Sequence, residues 1–392
     1  MITAGIICEY NPMHLGHVKH IEQTRRELGE ECAVVCVMSG NFVQRGDFAV
    51  FCKHARAEAA VRSGADLVIE LPSPYALSSA EGFARAGVFL LNCFCDYISF
   101  GSEVGDIAEL IDAADAISTE EADALTKQWL EKGLPYATAR QKAAEAVLGP
   151  RAEVLLTPNN LLGIEYIKAV AELEAPLKPI TVKRIGDPHD SASGCSGSAL
   201  RKMLYSGEMP WEHMPQKAAK VFAAEIAAGR GPVSMKSAEL AILSRLREAA
   251  PERFAALPGA TEGLDRRFLR AAARPTVEAI LQDVKTKRYA MSRLRRMLMC
   301  ACLGITAEDV SQTPPYIRAL AFNRTGAKLL REAREKSDLP IITKPASAHE
   351  LPARAKTLFL KEAAATDFYA LAYPEAHCRS GGQEWTTSPR II

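Results

Sequence analysis

Five short apolar runs alternate with helical periodicity over the first half of the chain, and this alternation most restricts what it can fold into. Residues 2–8, 33–38, 66–71, 97–101 and 178–182 have strand length and are rich in Val, Ile or aromatic residues. Between them, residues 18–28, 53–63 and 79–91 carry apolar side chains at helical spacing, and a further helix begins near Leu161. Strands alternating with helices predict an α/β fold with a doubly wound parallel sheet. Ligands of such sheets sit outside the carboxyl ends of the strands. That rule brings residues 9–17, 39–45, 101–103 and 184–201 to one edge, so one cleft assembled from distant segments is expected.

The first strand turns at Asn11-Pro12 and runs into His14-Leu15-Gly16-His17, which opens the first helical pattern. A strand feeding a tight turn, a glycine that admits close approach and the free N–H groups of a helix start suit a nucleoside triphosphate. Two imidazoles beside them can hydrogen-bond phosphates and stabilise charge on a leaving pyrophosphate. His14 and His17 are therefore the first catalytic candidates, and His20 lies one turn further along the same face. The expected nucleotide contact is the whole stretch Ile7, Cys8, Glu9, Tyr10, Asn11, Pro12, Met13, His14, Leu15, Gly16, His17, Val18, Lys19 and His20.

Four further positions fall at strand or helix ends. Ser196-Gly197-Ser198-Ala199-Leu200-Arg201 starts a helix after a loop at 187–194 that reads as flexible; its hydroxyls and N–H groups suit phosphate oxygens, and Arg201 adds a catalytic positive charge. Arg184 and Ile185 directly follow the last strand and can meet the nucleotide with guanidinium and backbone. Gly101 ends a strand where a missing side chain would admit an adenine or ribose, and Asn160 offers donor and acceptor to a base edge. Those two read equally as a strand-end glycine and a helix cap. Asn41, Gln44 and Arg45 lie on the loop after the second strand, with Arg45 a candidate for a small carboxylate or the phosphate chain.

At 392 residues the chain has room for two domains, placed here at 1–205 for nucleotide chemistry and 206–392 for a mainly helical unit. Residues 316–343 add a small strand–helix–strand element, and the tail from Glu375 reads as poorly ordered. A net charge of +1 says nothing about an RNA partner, but residues 285–336 hold twelve Lys or Arg against four Asp or Glu. Lys285, Lys287, Arg288, Arg293, Arg295 and Arg296 cluster around Tyr289, a pattern able to contact phosphates and stack a base. The ten cysteines lie mostly in apolar runs and read as free thiols of a reducing compartment rather than a disulfide framework or a zinc site. No run reaches the roughly 20 apolar residues of a membrane span, and the N-terminal run lacks a basic leader, so a cytoplasmic location is expected.

The His-x-Gly-His turn resembles the HIGH-type nucleotidylyltransferase superfamily. Read with Ser39-Gly40-Asn41-Phe42-Val43-Gln44-Arg45-Gly46, Gly64-Ala65-Asp66, Ser99-Phe100-Gly101-Ser102-Glu103, Pro158-Asn159-Asn160 and the Ser196–Arg201 segment, the chain is similar to the bacterial tRNA(Met) cytidine acetate ligase family over nearly its whole length. It departs from the usual family pattern at Met13 and Leu15, neither a charge-bearing position. The resemblance implies a second phosphate-binding motif at Ser198 and Arg201, and ligand contact at Gly101 and Asn160. It implies ATP as substrate, acetate activated as acetyl-adenylate, and acetylation of the wobble cytidine of elongator tRNA(Met); Mg2+ accompanying ATP is a chemical expectation, with no carboxylate site dedicated to it in the sequence. A nucleotidylyltransferase acting on a small phosphorylated metabolite would explain the first 205 residues equally well, but would leave the basic second half without a role.

Overall fold

The computed structural model describes residues 1–184, 196–261 and 263–392, so Ile185 and the loop at 187–194 lie outside the described residues. Its strands are β1 (Thr3–Cys8), β2 (Ala33–Ser39), β3 (Phe42–Val43), β4 (Asp47–Phe48), β5 (Leu67–Leu71), β6 (Tyr97–Ser102), β7 (Lys178–Lys183), β8 (Ile317–Phe322), β9 (Ile341–Ile342) and β10 (Arg390–Ile391). One sheet runs β10-β8-β5-β2-β1-β6-β7 with β9 on β8, while β3 and β4 form a separate hairpin. The five expected strands are its parallel centre, in the order β5-β2-β1-β6-β7. Strand β2 is buried along all seven residues, as a near-continuous apolar run covered on both faces requires.

Strands β1 and β6 pair only through Ala4–Tyr97 and Gly5–Ile98, whereas β1 stays in register with β2 as far as Cys8–Met38. This is the point where strand order reverses, and the crevice it opens at the carboxyl ends is where doubly wound sheets bind ligands. Helix Leu15–Leu28 starts beside this crevice. Arg56 of helix Lys53–Arg62 is fully buried and ties the strand ends together: it donates to the carbonyls of Phe51 (2.9 Å), Glu9 (2.5 Å), Ser39 (3.0 Å) and Gly40. Those carbonyls would otherwise lie buried without donors.

The second half contributes to the same sheet. Strand β8 lies antiparallel on β5, with Leu67 opposite Phe322 and Val68 opposite Ala321. The small strand–helix–strand element is therefore continuous with the main sheet. Asp66 fastens this joint, accepting from Arg25 (2.7 Å), Val34 N (2.8 Å) and Asn323 Nδ2 (2.8 Å). The remaining helices, among them Glu239–Glu248, Leu264–Ala271, Val277–Val284 and Met291–Leu303, enclose a second core that takes in Phe42 and Phe48 of the hairpin.

The tail from Glu375 is ordered, contrary to its polar and glycine-bearing appearance. It forms the short helix Gln383–Thr386 and β10, and it delivers Glu384 into the interior. Lys53 Nζ lies 2.7 Å from both Glu70 and Glu384, and Arg318 Nε lies 3.3 Å from Glu384, with all four side chains at most 1% exposed. Burial alone would raise the Glu384 carboxyl, but Lys53 and Arg318 hold it down to about 2. Burial and then the neighbouring Glu70 push Glu362 up to about 8. A buried cation pair chooses the conformation of the tail, which composition alone does not reveal.

Candidate nucleotide-binding active site

His14 is the N-cap of helix Leu15–Leu28, and its Nδ1 accepts from Gly16 N at 3.1 Å. His17 Nδ1 accepts in turn from His14 N at 3.2 Å. A neutral imidazole that accepts at Nδ1 carries its proton at Nε2. Both rings thus present Nε2–H donors at the helix start, stacked with centroids 3.6 Å apart. Two cations could not share that stack. Burial, followed by Arg184 and Arg201, holds His14 down to about 4, and burial with the neighbouring His14 and His20 holds His17 well below its usual value. A Cβ on Gly16 would sit 3.0 Å from the His14 ring, so the glycine makes room for the imidazole itself.

His20 Nε2 lies 2.9 Å from Ser99 Oγ, which is also 2.7 Å from Thr24 Oγ1, so this imidazole closes the gap between helix Leu15–Leu28 and β6. Burial and Arg184 hold it down to about 4. Of the remaining residues in the stretch, Ile7, Tyr10 and Met13 turn their side chains into the core, so any contact they make is through backbone. Tyr10 takes a left-handed backbone (φ 43°) to turn the chain, and its hydroxyl lies 3.4 Å from Cys36 Sγ beneath His17. Asn11 Oδ1 accepts from Val50 N at 2.7 Å and anchors the turn. Glu9 accepts from Gln44 N at 2.8 Å, which draws the β3–β4 hairpin to the cleft. Cys8, Leu15 and Val18 are half-buried, Pro12 is buried, and Gly16 and Lys19 are exposed.

The second phosphate motif meets the first. Helix Gly197–Tyr205 starts where the Gly197 Cβ position is 3.9 Å from the His14 ring. Arg201 donates to Asn11 O (2.6 Å) and to Ser198 Oγ (3.1 Å), while Ser196 is the N-cap. Two helix N-termini, two Nε2–H groups and Arg201 therefore converge, an arrangement suited to a polyphosphate. Arg184 N donates to Ser102 O at 2.9 Å, and its stem covers Gly101, 3.2 Å from where a Cβ would be. The open side of Gly101 thus admits Arg184. Asn160 is 3% exposed, and its Oδ1 accepts from Glu103 N (2.8 Å) and Val104 N (3.2 Å). Its acceptor fastens the β6 exit loop.

One expectation from the charge pattern is corrected. Tyr289 is 7% exposed with the Arg293 guanidinium 5.0 Å over its ring, so it presents no stacking platform to a base. Within the basic segment, Arg293 donates to Gly259 O and Thr261 Oγ1, Lys285 to Tyr289 O, and Arg296 to Gln44 O. Gly46 (φ 72°) presses against the backbone of Arg295 and Arg296, leaving no space for a side chain. Arg295 and Arg296 therefore brace the cleft hairpin. Arg45 lies exposed at that hairpin's tip. The buried ion cluster at Lys53 and the staple at Arg56 were not legible as functional supports, because their partners lie on other elements.

Arg201→Ala should impair ATP use, raising KM for ATP by about tenfold, the scale of losing one charge-assisted hydrogen bond of 1.5–3 kcal/mol. Unchanged KM and turnover would make Arg201 a cap for the Asn11 turn alone. A second expectation concerns pH. His14 and His20 at about 4 and His54 at about 3 are neutral in the fold but titrate near 6.5 when unfolded. Below that value the unfolded chain binds more protons, so stability falls as pH drops from about 6.5 towards 4. Glu362, raised to about 8, and Asp47 and Glu70, also raised by burial, work in the opposite direction, against four imidazoles held down, His17 included. Thermal melts should show a lower Tm at pH 5 than at pH 7; an equal or higher value would contradict the neutral-imidazole assignment.

The sequence model of the HIGH Nucleotidyl Transferase family matches residues 1–384. A tRNA(Met) cytidine acetate ligase from Acetivibrio thermocellus is 36% identical over 420 residues, covering all of both chains. Its namesake from Caldicellulosiruptor saccharolyticus is 37% identical over 391 residues, covering 96% of each. Among solved structures, Thermotoga maritima TmcAL bound with alpha-thio ATP superposes with a TM-score of 0.91 at 31% identity over the whole of both chains. The apo form of that protein gives 0.92 at the same identity and coverage. Matched from end to end in sequence and fold, the chain belongs to the HIGH nucleotidyl transferase family and, within it, to the tRNA(Met) cytidine acetate ligase family.

Proposed function

We propose that this chain is an ATP-dependent ligase that activates acetate and acetylates N4 of the wobble cytidine of elongator tRNA(Met), giving N4-acetylcytidine. The observation that carries this reading is the convergence of His14 Nε2–H, His17 Nε2–H, Arg201 and two helix N-termini at the crevice beside β1. An acetate oxygen attacks the α-phosphorus of ATP, the bond to the β-phosphate oxygen breaks, and pyrophosphate leaves. The Nε2–H groups and Arg201 neutralise charge growing on that leaving group. The cytidine N4 then attacks the acetyl carbon of acetyl-adenylate, the acyl–oxygen bond breaks, and AMP and a proton depart. No covalent enzyme intermediate is required, so positioning and exclusion of water from the mixed anhydride supply the catalysis.

Among the described residues no group of three or more His, Cys, Asp or Glu side chains could hold a metal ion. Mg2+ arriving with ATP would be held in part by triphosphate oxygens. Residues 1–205 carry the nucleotide site in this reading, and residues 206–392 meet the tRNA while completing the sheet through β8. Among the described residues no helix is long and apolar enough to cross a membrane. The nine described cysteines are free, and a cytoplasmic location fits them. Pyrophosphate release from ATP, measured with and without acetate and with tRNA(Met), tests the proposal. Acetate-dependent release followed by acetyl transfer to tRNA supports it; release that requires a phosphorylated metabolite instead would assign the chain to the adenylylating reading.

A further inference from the structure

We infer that the helical half carries a dedicated RNA-backbone site in the pocket lined by Arg267, Arg270, Arg274 and Asp283, an inference that rests on the RNA-modifying reading above. Helix Leu264–Ala271 buries Leu264, Phe268 and Ala271 on one face. Arg267 and Arg270, three residues apart, share another face of this helix, and Arg274 lies in the bend that follows it. With Asp283 they line an open surface pocket of about 230 Å³. At roughly 30 Å³ for each water, that volume holds a phosphate group with several waters. Asp283 accepts from Arg274 Nε at 2.6 Å and sets the direction of that fork, and Arg247 Nη2 holds the Arg274 carbonyl at 3.1 Å.

Arg267 and Arg270 make no ion pair with another described residue. Three guanidinium groups against one carboxylate leave this pocket with two positive charges in excess, on a chain whose total is +1. These like charges repel one another, and an anion bound among them relieves that repulsion. Guanidinium forks match phosphate oxygens in geometry, whereas an apolar cofactor would find no apolar lining here.

Position favours a long polyanion over a free one. Helix Leu264–Ala271 packs on Val277–Val284, which packs on Met291–Leu303, whose Arg295–Arg296 backbone abuts Gly46 of the cleft hairpin. Two helix spacings of 8–10 Å place the pocket roughly 20 Å from the hairpin. An RNA with one base in the cleft has backbone to offer at that range. By contrast, the charge-rich segment 285–296 uses several of its cations internally. The arginine pocket, rather than that segment, receives the phosphates.

The test is direct binding of a tRNA(Met) transcript to the full chain across a salt series, with Arg267→Ala/Arg270→Ala beside wild type. Affinity at 0.1 M salt should fall about tenfold or more, and the slope of log affinity against log salt should shrink by about two, one for each lost contact. Tm and tRNA-independent, acetate-dependent pyrophosphate release should stay unchanged, and Arg267→Lys/Arg270→Lys should recover part of the affinity. Wild-type affinity and slope in the double-alanine variant would overturn the site, as would a wild-type chain that binds no RNA. Displacement of the transcript by polyglutamate as readily as by unlabelled RNA would overturn it in favour of an acidic protein partner. If RNA binding is lost in the variant but wild type never releases pyrophosphate with acetate, the pocket stands and the catalytic reading fails.

Discussion

Replacing His17 with alanine is expected to slow acetyl-adenylate formation by about 10²–10³-fold, the scale of removing one preorganised donor from a developing charge. His17 Nδ1 is occupied by His14 N, so the only proton His17 can offer a ligand is at Nε2. The ring also supports His14 by stacking at 3.6 Å, so His14 loses part of its orientation in the same variant. Folding should change little, since the lost contacts lie at a partly exposed helix start. Acetate-dependent ATP–pyrophosphate exchange reads the step directly. A rate within a few-fold of wild type would remove the imidazole pair from the chemistry.

The largest stability effect is expected far from the reacting atoms. Glu384→Ala would leave the Arg318 guanidinium without its carboxylate and Lys53 with Glu70 alone, inside a cluster at most 1% exposed. Removing one partner of a buried ion pair costs about 3–5 kcal/mol, because the remaining charge stays buried. Urea unfolding of Glu384→Ala and of a chain ending before Glu375 would measure it. The truncated chain should not fold, since it also loses the Thr387 carbonyl that accepts from Arg318 Nη2 at 3.0 Å and the β10 partner of β8. A loss below 1 kcal/mol in the point variant would make the tail an appendage and not a member of the core.

That contrast marks the limit of reading this chain from its residues. The parallel centre of the sheet, the His-x-Gly-His turn and the Ser196–Arg201 helix start were all legible, because each is written in neighbouring residues. Strand β2 needs only a run of buried apolar side chains, and a helix start needs only a cap and its first turn. Their shared location followed from the rule that strand ends gather ligands at a reversal of strand order.

Only the tertiary structure decided where charges point. Lys53 and Arg56 occur in a helix whose composition looks polar, yet both are buried because the strand-end carbonyls and Glu384 require donors. Around Tyr289, Arg293 and Arg296 donate to carbonyls of other segments, while Lys285, Lys287 and Arg288 stay exposed. At Gly101 the space left by the missing side chain lies against the Arg184 stem, which the sequence did not foretell. Periodicity reports which face of an element is apolar, and so it recovers elements and their order. A charged side chain is placed by the partner it meets across the fold, and Glu384 and Lys53 meet from opposite ends of the chain.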